Sequence, residues 1–353
     1  MPRTERLLDQ HVRPQLTRVG MAHQGIRAFD SSRRKTRLPG PLRVQVQTTN
    51  RCNASCIMCP YSTQEKHGPV ARMDDALYDR ILSQLKHAGT VRSFTPMLQS
   101  EPLVDPKITE RIRKAREALG NQASVHIVTN GSLLNQDKAD AFLAAGIDYF
   151  SVSIDAFREE TYRSIRAGLN FSKVTKNVHS LLRRTPQPRV ITRFLKQPAN
   201  AGEEKDFIRY WKGRGAAVFL HSLVNRAGTM DILPQNEAAQ RSIVRQLTRR
   251  ILHSFFPFCP LPFYSLNVLW DGRTILCCHD WKPSVLVGDL SKQSLSEIWN
   301  GEVLNNCRHL LYSGRSREIA SCRRCSYVSG FWNPNLPYPK QIVKAPACLK
   351  NNA

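Results

Sequence analysis

Ten cysteines carry the most chemical information in this chain, and they fall into two groups. Cys52, Cys56 and Cys59 lie in one short segment with Cys-x3-Cys-x2-Cys spacing. After a long cysteine-free stretch come Cys259, Cys277, Cys278, Cys307, Cys322, Cys325 and Cys348. In a reducing compartment, clustered cysteines point to metal binding or catalysis before disulfides. Three thiolates in one loop can occupy three corners of a [4Fe–4S] cube. Such clusters normally take four cysteines, so three leave one iron open to an outside ligand. Zinc is the rival for this segment, but a structural zinc takes four protein ligands, and His67 is the only nearby histidine. The adjacent pair Cys277 and Cys278 needs separate treatment. Neighbouring side chains on an extended strand point to opposite faces, so one of the two is expected at a site and the other behind it.

The elements that must position these thiols alternate along the chain. Runs rich in Val, Ile, Phe and Thr at 43–49, 91–98, 124–130, 149–155, 189–195 and 217–224 predict six strands. The spacers predict helices. One opens at Asp74 and stops at Gly89, one runs from Asp105-Pro106 to Gly120, and one ends at Gly146. Strands alternating with helices imply a parallel sheet in an α/β fold, doubly wound or curved into a barrel-like arc. No strand is followed by GxGxxG, so a dinucleotide fold has no support. Beyond residue 235 the pattern changes. A long amphipathic helix is expected at 236–256, followed by the proline-rich FPFCPLP. Two strand-like runs then flank Asp271-Gly272, a strong hairpin signal, and two short helices follow. The chain divides into a basic extension (1–40), a core (41–235), a linker helix with a small cysteine-bearing module (236–335) and a tail (336–353).

The first cysteine segment ends the first strand, with Met58 before the last thiol and Tyr61 soon after it. Gln99-Ser100-Glu101-Pro102 closes the second strand, Thr129-Asn130-Gly131 the third and Ser153-Ile154-Asp155 the fourth, while Arg166 lies in SIRAG. This constellation resembles the radical S-adenosylmethionine (SAM) superfamily over roughly 43–225. The resemblance implies a partial (β/α)6 TIM-like barrel with its chemistry at the C-terminal ends of the strands. It further implies a [4Fe–4S] cluster on Cys52, Cys56 and Cys59. SAM would sit on the open iron, bordered by Tyr61, Ser100, Glu101, Asn130, Ser153 and Arg166. Gln99 and Ser100 replace two glycines of the family's Gly-Gly-Glu-Pro segment. In such enzymes an electron from the cluster cleaves SAM to methionine and a 5′-deoxyadenosyl radical, which abstracts hydrogen from an unactivated carbon.

Gly272-x4-Cys277 and Cys322-x2-Cys325 resemble the auxiliary-cluster modules called SPASM in their long form and twitch in their short form. Cys259, Cys277, Cys322 and Cys325 are separated by 18, 45 and 3 positions. This spacing is similar to that of radical SAM dehydrogenases of the butirosin-pathway type. The long form carries seven cysteines, whereas here none follows Cys325 until Cys348, so four ligands for one auxiliary [4Fe–4S] cluster is the expectation. Zinc is the competing occupant. Cys278 is expected as a small buried group behind the hairpin, with swapped roles for Cys277 and Cys278 as the competitor. Cys278 or Cys307 could also be the hydrogen-donating thiol that some epimerases of this superfamily use.

Two clusters imply an oxidation in which the auxiliary one accepts an electron, with an alcohol converted to a ketone. Arg193 and His221, each within a strand run, are candidates for the base. Epimerase, decarboxylase and peptide-modifying activities remain alternatives, as does a non-enzymatic metal-binding maturation protein. The 40-residue stretch ahead of the first strand favours a small carbohydrate- or aminocyclitol-like substrate over a peptide. The net charge of +24 suits anionic partners such as a phosphorylated substrate or an acidic electron donor like flavodoxin or ferredoxin. No nucleic-acid-binding motif accompanies the charge. Apolar runs fall short of the roughly 18 residues a membrane span needs, and no signal-peptide core follows the Arg-rich start, so a cytoplasmic protein is expected.

Overall fold

The computed structural model describes residues 21, 24, 39–63, 69–185, 189–230 and 258–326. The helix expected at 236–256, the tail from 336, His67 and Cys348 lie outside the described residues, as does the N-terminal extension through residue 38 apart from two positions.

Six parallel strands form the body: β1 (Arg43–Val46), β3 (Ser93–Thr95), β4 (Ser124–Thr129), β5 (Tyr149–Ser153), β7 (Val190–Lys196) and β8 (Ala217–Ser222). They pair in that order, each parallel to the next. Each falls within or at the edge of a run expected from sequence. Two further strands of two residues each, β2 (Ser55–Cys56) and β6 (Arg166–Ala167), pair antiparallel with each other.

The sheet is buried on both faces, but the faces differ in character. Val44, Phe94, Val125, Ile127, Phe150 and Val152 are fully buried and apolar. They alternate with Gln45, Thr95, His126, Ser151 and Arg193. Alternate residues point to opposite faces, so one face packs on helices and the other carries polar side chains. Contacts on that surface run from strand to strand. Thr95 Oγ1 and His126 Nε2 are 2.7 Å apart, His126 stacks on Tyr149, and Arg193 reaches across to Ser151 Oγ at 3.5 Å.

The outer layer is made by helices α1 (Asp75–Ala88), α2 (Ile108–Leu119), α3 (Gln136–Ala144), α4 (Glu159–Ile165), α5 (Phe171–Arg184) and α6 (Glu204–Lys212). Their ends follow sequence signals. The Asp74 carboxylate accepts from the amides of Ala76 and Leu77 at 2.9 and 3.2 Å, filling donors that have no partner within the helix. Asn135 and Asn170 cap α3 and α5 in the same way.

The C-terminal residues extend this sheet instead of forming a separate one. β9 (Ser265–Val268) lies parallel to β1, and β10 (Arg273–Ile275) and β11 (Leu286–Asp289) follow antiparallel. The nine-stranded order is β11-β10-β9-β1-β3-β4-β5-β7-β8, an open arc and not a closed barrel. Gly272 turns the hairpin at φ 92°, and a Cβ there would press on Asp289 and Ser291, so glycine is required. Helices α7 (Leu295–Trp299) and α8 (Glu302–Tyr312) cover the module. No helix among the described residues is long and apolar enough to cross a membrane.

Candidate active site

The loop after β1 carries the first three thiols, and its shape is fixed by backbone and side-chain bonds. Thr49 Oγ1 donates to Ala71 O at 3.0 Å, and Asn50 exchanges bonds with Pro69 O and Ala71 N. Cys56 lies in β2, and Ile57 N donates to Ile165 O. The amide of Cys59 donates to Cys56 O, and the helical turn Pro60–Thr63, which holds Tyr61, follows directly. Cys56 is buried, and Cys52 and Cys59 are half-buried. Burial pushes the Cys52 thiol up to about 12, and the Glu101 carboxylate adds to the effect. Burial also raises Cys56 and Cys59, and Cys52 feels both other thiols electrostatically while Cys59 feels Cys56. Thiols held so far from ionisation need a Lewis acid to become thiolates, and ligation would release their protons.

The strand ends converge on this loop. Glu101 is fully buried. Its carboxylate accepts from Thr129 Oγ1 at 2.6 Å, from Asn130 N at 2.8 Å and from Leu103 N at 3.1 Å. Burial nevertheless leaves its pKa raised. A carboxylate offers about four lone-pair sites, so Glu101 keeps acceptor capacity beyond these three bonds. The Asn130 side chain binds the loop itself. It donates to Asn53 Oδ1 at 2.8 Å and accepts from Ser132 N and Oγ. Ser100 Oγ turns back to Leu98 O at 3.3 Å. Arg166 is buried, ion-paired with Asp155, and its Nη1 lies 3.7 Å from Cys56 Sγ. Ser153 and Arg193 are in register on β5 and β7. The Arg193 guanidinium sits over Phe219, 5.1 Å from the ring centre, and Phe219 packs on His221 at 5.6 Å.

The second set of thiols gathers elsewhere. Cys259, Cys277, Cys322 and Cys325 line one cavity together with Leu261, Pro262, Leu276, His279, Leu311 and Ser321. Burial raises Cys259 and Cys277 well above the usual thiol range and takes Cys322 up to about 12. Among the described residues, no three His, Cys, Asp or Glu side chains gather closely enough to hold a single metal ion. Four thiols around one cavity match the ligand count of an iron–sulfur cube. The adjacent cysteines diverge: Cys277 lines the cavity, whereas Cys278 packs with Leu98, Leu269 and Ile275. Burial opposes ionisation of Cys278, but His279, Arg43 and Arg226 outweigh it and lower its pKa. Cys307 is fully buried in α8 and absent from the cavity wall.

Two residues that sequence reading did not assign to the site join its parts. Asp155 is the buried partner of Arg166. Gln99 stands at φ 55° where the resembled motif has glycine, and the motif's glycine was the available signal, since this backbone region favours Gly. Its Nε2 donates to Cys278 O at 3.3 Å and to Asp280 O at 3.0 Å, binding the end of β3 to the loop that carries Cys277. A Gln99→Gly variant keeps the backbone conformation and removes both bonds, each worth about 1 kcal/mol. Amide exchange over residues 277–285 is expected to accelerate roughly tenfold, as about 1–2 kcal/mol of local protection is lost. Unchanged exchange would show that these bonds do not hold the loop.

A partial α/β barrel with three thiols at the mouth of its first strand, and four more in an appended cavity, defines an iron–sulfur enzyme with two cluster sites. Residues 46–201 match the radical SAM superfamily, and residues 259–326 match the SPASM iron–sulfur cluster-binding domain. The chain is a radical SAM oxidoreductase. Its first domain implies SAM on a [4Fe–4S] cluster, and its second implies auxiliary iron–sulfur. It is 22% identical over 286 residues to the S-adenosyl-L-methionine-dependent 2-deoxy-scyllo-inosamine dehydrogenase of Niallia circulans, covering 81% of this chain and 93% of that protein. It is 24% identical to the PqqA peptide cyclase of Gluconobacter oxydans, covering 83% and 84%. Among solved structures, BtrN in complex with AdoMet and 2-DOIA superposes with a TM-score of 0.57 at 19% identity, covering 81% and 92%. Streptococcus suis SuiB bound to S-adenosylmethionine gives 0.64 at 13%, covering 84% and 73%.

Proposed function

We propose that this enzyme oxidises a secondary alcohol of a carbohydrate-like or aminocyclitol-type molecule to a ketone. The observation that carries the reading is the four-thiol cavity, formed in a module whose β9 lies directly beside β1. When loaded, the two sites supply a radical that removes hydrogen from carbon and a sink for the remaining electron. The polypeptide's part is to bind, orient and move a proton. Tyr61, Ser100, Glu101, Asn130, Ser153 and Arg166 would border SAM. The polar face of the sheet that carries Thr95, His126 and Ser151 is the side proposed to meet a hydroxyl-rich substrate. Arg193 and His221, half-buried on adjacent strands, are the groups proposed to accept the hydroxyl proton. The likeness to a 2-deoxy-scyllo-inosamine dehydrogenase over most of both chains supports the small-substrate class. Peptide modification is the second reading, supported by the similar coverage of the PqqA peptide cyclase.

The test is anaerobic turnover of an aminocyclitol and sugar panel with SAM and dithionite. The expected product lacks two hydrogens, is trapped by a hydrazine and forms with one 5′-deoxyadenosine. Deuterium at the carbinol carbon should appear in that 5′-deoxyadenosine. A product of unchanged mass carrying solvent deuterium at carbon would make the enzyme an epimerase, and release of carbon dioxide would make it a decarboxylase.

A further inference from the structure

Arg308 is the most deeply buried cation of the auxiliary module. It lies in α8 with no exposed surface. Its Nε donates to Pro262 O at 2.9 Å, and Nη1 donates to Trp299 O at 2.7 Å and Asn305 Oδ1 at 2.9 Å. The guanidinium lies over the Trp299 ring, 4.2 Å from its centre, and Nη2 has no hydrogen-bond partner. None of the salt bridges among the described residues involves Arg308. Every other buried arginine of the described residues that forms an ion pair does so with a buried or half-buried carboxylate, as Arg111 does with Asp105 and Arg166 with Asp155. Burial pushes the Arg308 guanidinium down to about 9, and only Cys307 offsets it. A buried charge without a counter-ion is strongly unfavourable, so its presence calls for an anion.

A loaded four-thiol cavity would supply one. Pro262, whose carbonyl Arg308 holds, lines the four-thiol cavity, and so does Leu311, one turn further along the same helix. Cys307, next to Arg308, is felt electrostatically by Cys322. An iron–sulfur cube on four thiolates is negatively charged in both of its common redox states, and net charge and surrounding hydrogen bonds set its potential. We infer that Arg308 is the charge partner of the auxiliary cluster and raises its reduction potential, making it a better electron acceptor. Reduction adds negative charge, so a fixed cation one carbonyl behind the cavity wall favours the reduced state. Arg308 is a positioning residue in this role, since it acts on the cluster through the field and the Pro262 carbonyl. The inference rests on the auxiliary site of the proposed dehydrogenase but needs neither its substrate nor its reaction.

The experiment uses the full chain with Cys52, Cys56 and Cys59 replaced by Ala, so that only the auxiliary cluster is present. Its potential is measured by redox titration followed by electron paramagnetic resonance. Arg308→Gln keeps donors for the carbonyls but loses the charge, and its one-electron equilibrium is expected to shift at least tenfold, or 59 mV, toward the oxidised state. Arg308→Lys keeps the charge and is expected to stay within threefold of the parent. A Gln variant that folds by circular dichroism but loses its iron, while the Lys variant keeps it, gives the same answer in stronger form. Equal potentials in all three proteins overturn the inference. So does an equal fall, or equal iron loss, in both variants, because shape and not charge would then be the cause. Absence of auxiliary iron in the parent would instead sink the dehydrogenase reading itself.

Discussion

Anaerobically reconstituted protein is expected to hold about eight irons, and the Cys322→Ala/Cys325→Ala variant about four, with reductive cleavage of SAM retained. The complementary variant, with Cys52, Cys56 and Cys59 replaced by Ala, is also expected to hold about four irons, but its 5′-deoxyadenosine formation should fall to background. The reason is spatial. Cys52, Cys56 and Cys59 follow β1, and Cys56 acts electrostatically on both of the others. Cys259, Cys277, Cys322 and Cys325 line a different cavity that contains none of them. Losing one set therefore leaves every donor of the other in place. Ligation requires thiolates, and burial raises Cys52, Cys56, Cys59, Cys259, Cys277 and Cys322, so each loading step should release protons into weakly buffered solution. Proton release should roughly halve in either variant. About four irons in both the parent and the Cys322→Ala/Cys325→Ala variant would show that the second thiol set does not hold iron. The electron acceptor on which the dehydrogenase reading depends would then be gone.

Much of the scaffold was legible because it is written in local patterns. The six parallel strands are runs of β-branched and aromatic residues, and Asp74 announces a helix by chemistry that acts within one turn. Cys277 and Cys278 diverge as expected, but both lie past the end of β10, so the turn that follows the strand separates them and not strand alternation. β2 and β6 were not legible, since two residues cannot show a period. β11 was missed because VLVGD lacks the alternation of a half-exposed strand and its pairing partner is set by the hairpin before it. The side chains that join the site were the least visible. Asp155 and Arg166 are separated by α4, so nothing in their spacing pairs them. Gln99 looked like a lost glycine, and only the fold shows that its amide spans from β3 to the Cys277 loop. Arg308 read as one more charge on a basic chain, whereas in the fold it is fully buried and forms no ion pair with a carboxylate of the described residues. Such pairings belong to tertiary structure, where local propensity is silent.

Replacing Asp155 by Asn is expected to destabilise the apoprotein by about 3–5 kcal/mol, the usual effect of removing one partner of a buried ion pair. Asp155 is fully buried and stands at φ 65°, a conformation that Asn tolerates and most residues do not. Its Oδ1 accepts from Leu195 N at 2.7 Å, and its carbonyl accepts from Asn200 Nδ2 at 2.7 Å. Asn can keep both bonds, so the substitution isolates the charge. What it removes is the carboxylate facing the Arg166 guanidinium. Burial works against that cation, and Asp155, followed by Cys56, outweighs it and holds Arg166 above its usual range. With Asn in place, Arg166 is left buried and uncompensated, and an amide N–H can face its N–H groups. The effect should appear in urea as a lower midpoint at constant slope. It should be smaller in the iron-loaded protein, because Arg166 Nη1 is 3.7 Å from Cys56 Sγ, a thiolate once it ligates. The same pair links the end of β5 to the cysteine loop through the β2–β6 pairing of Cys56 with Arg166, so Asp155→Asn should also lose iron faster to a chelator. A loss below about 1 kcal/mol in the apoprotein, well under the buried-pair range, would mean that solvent reaches Arg166 and that Asp155 is not its essential partner. A full loss of stability with unchanged chelator kinetics would separate the two roles, leaving the pair to hold the barrel and not the cysteine loop.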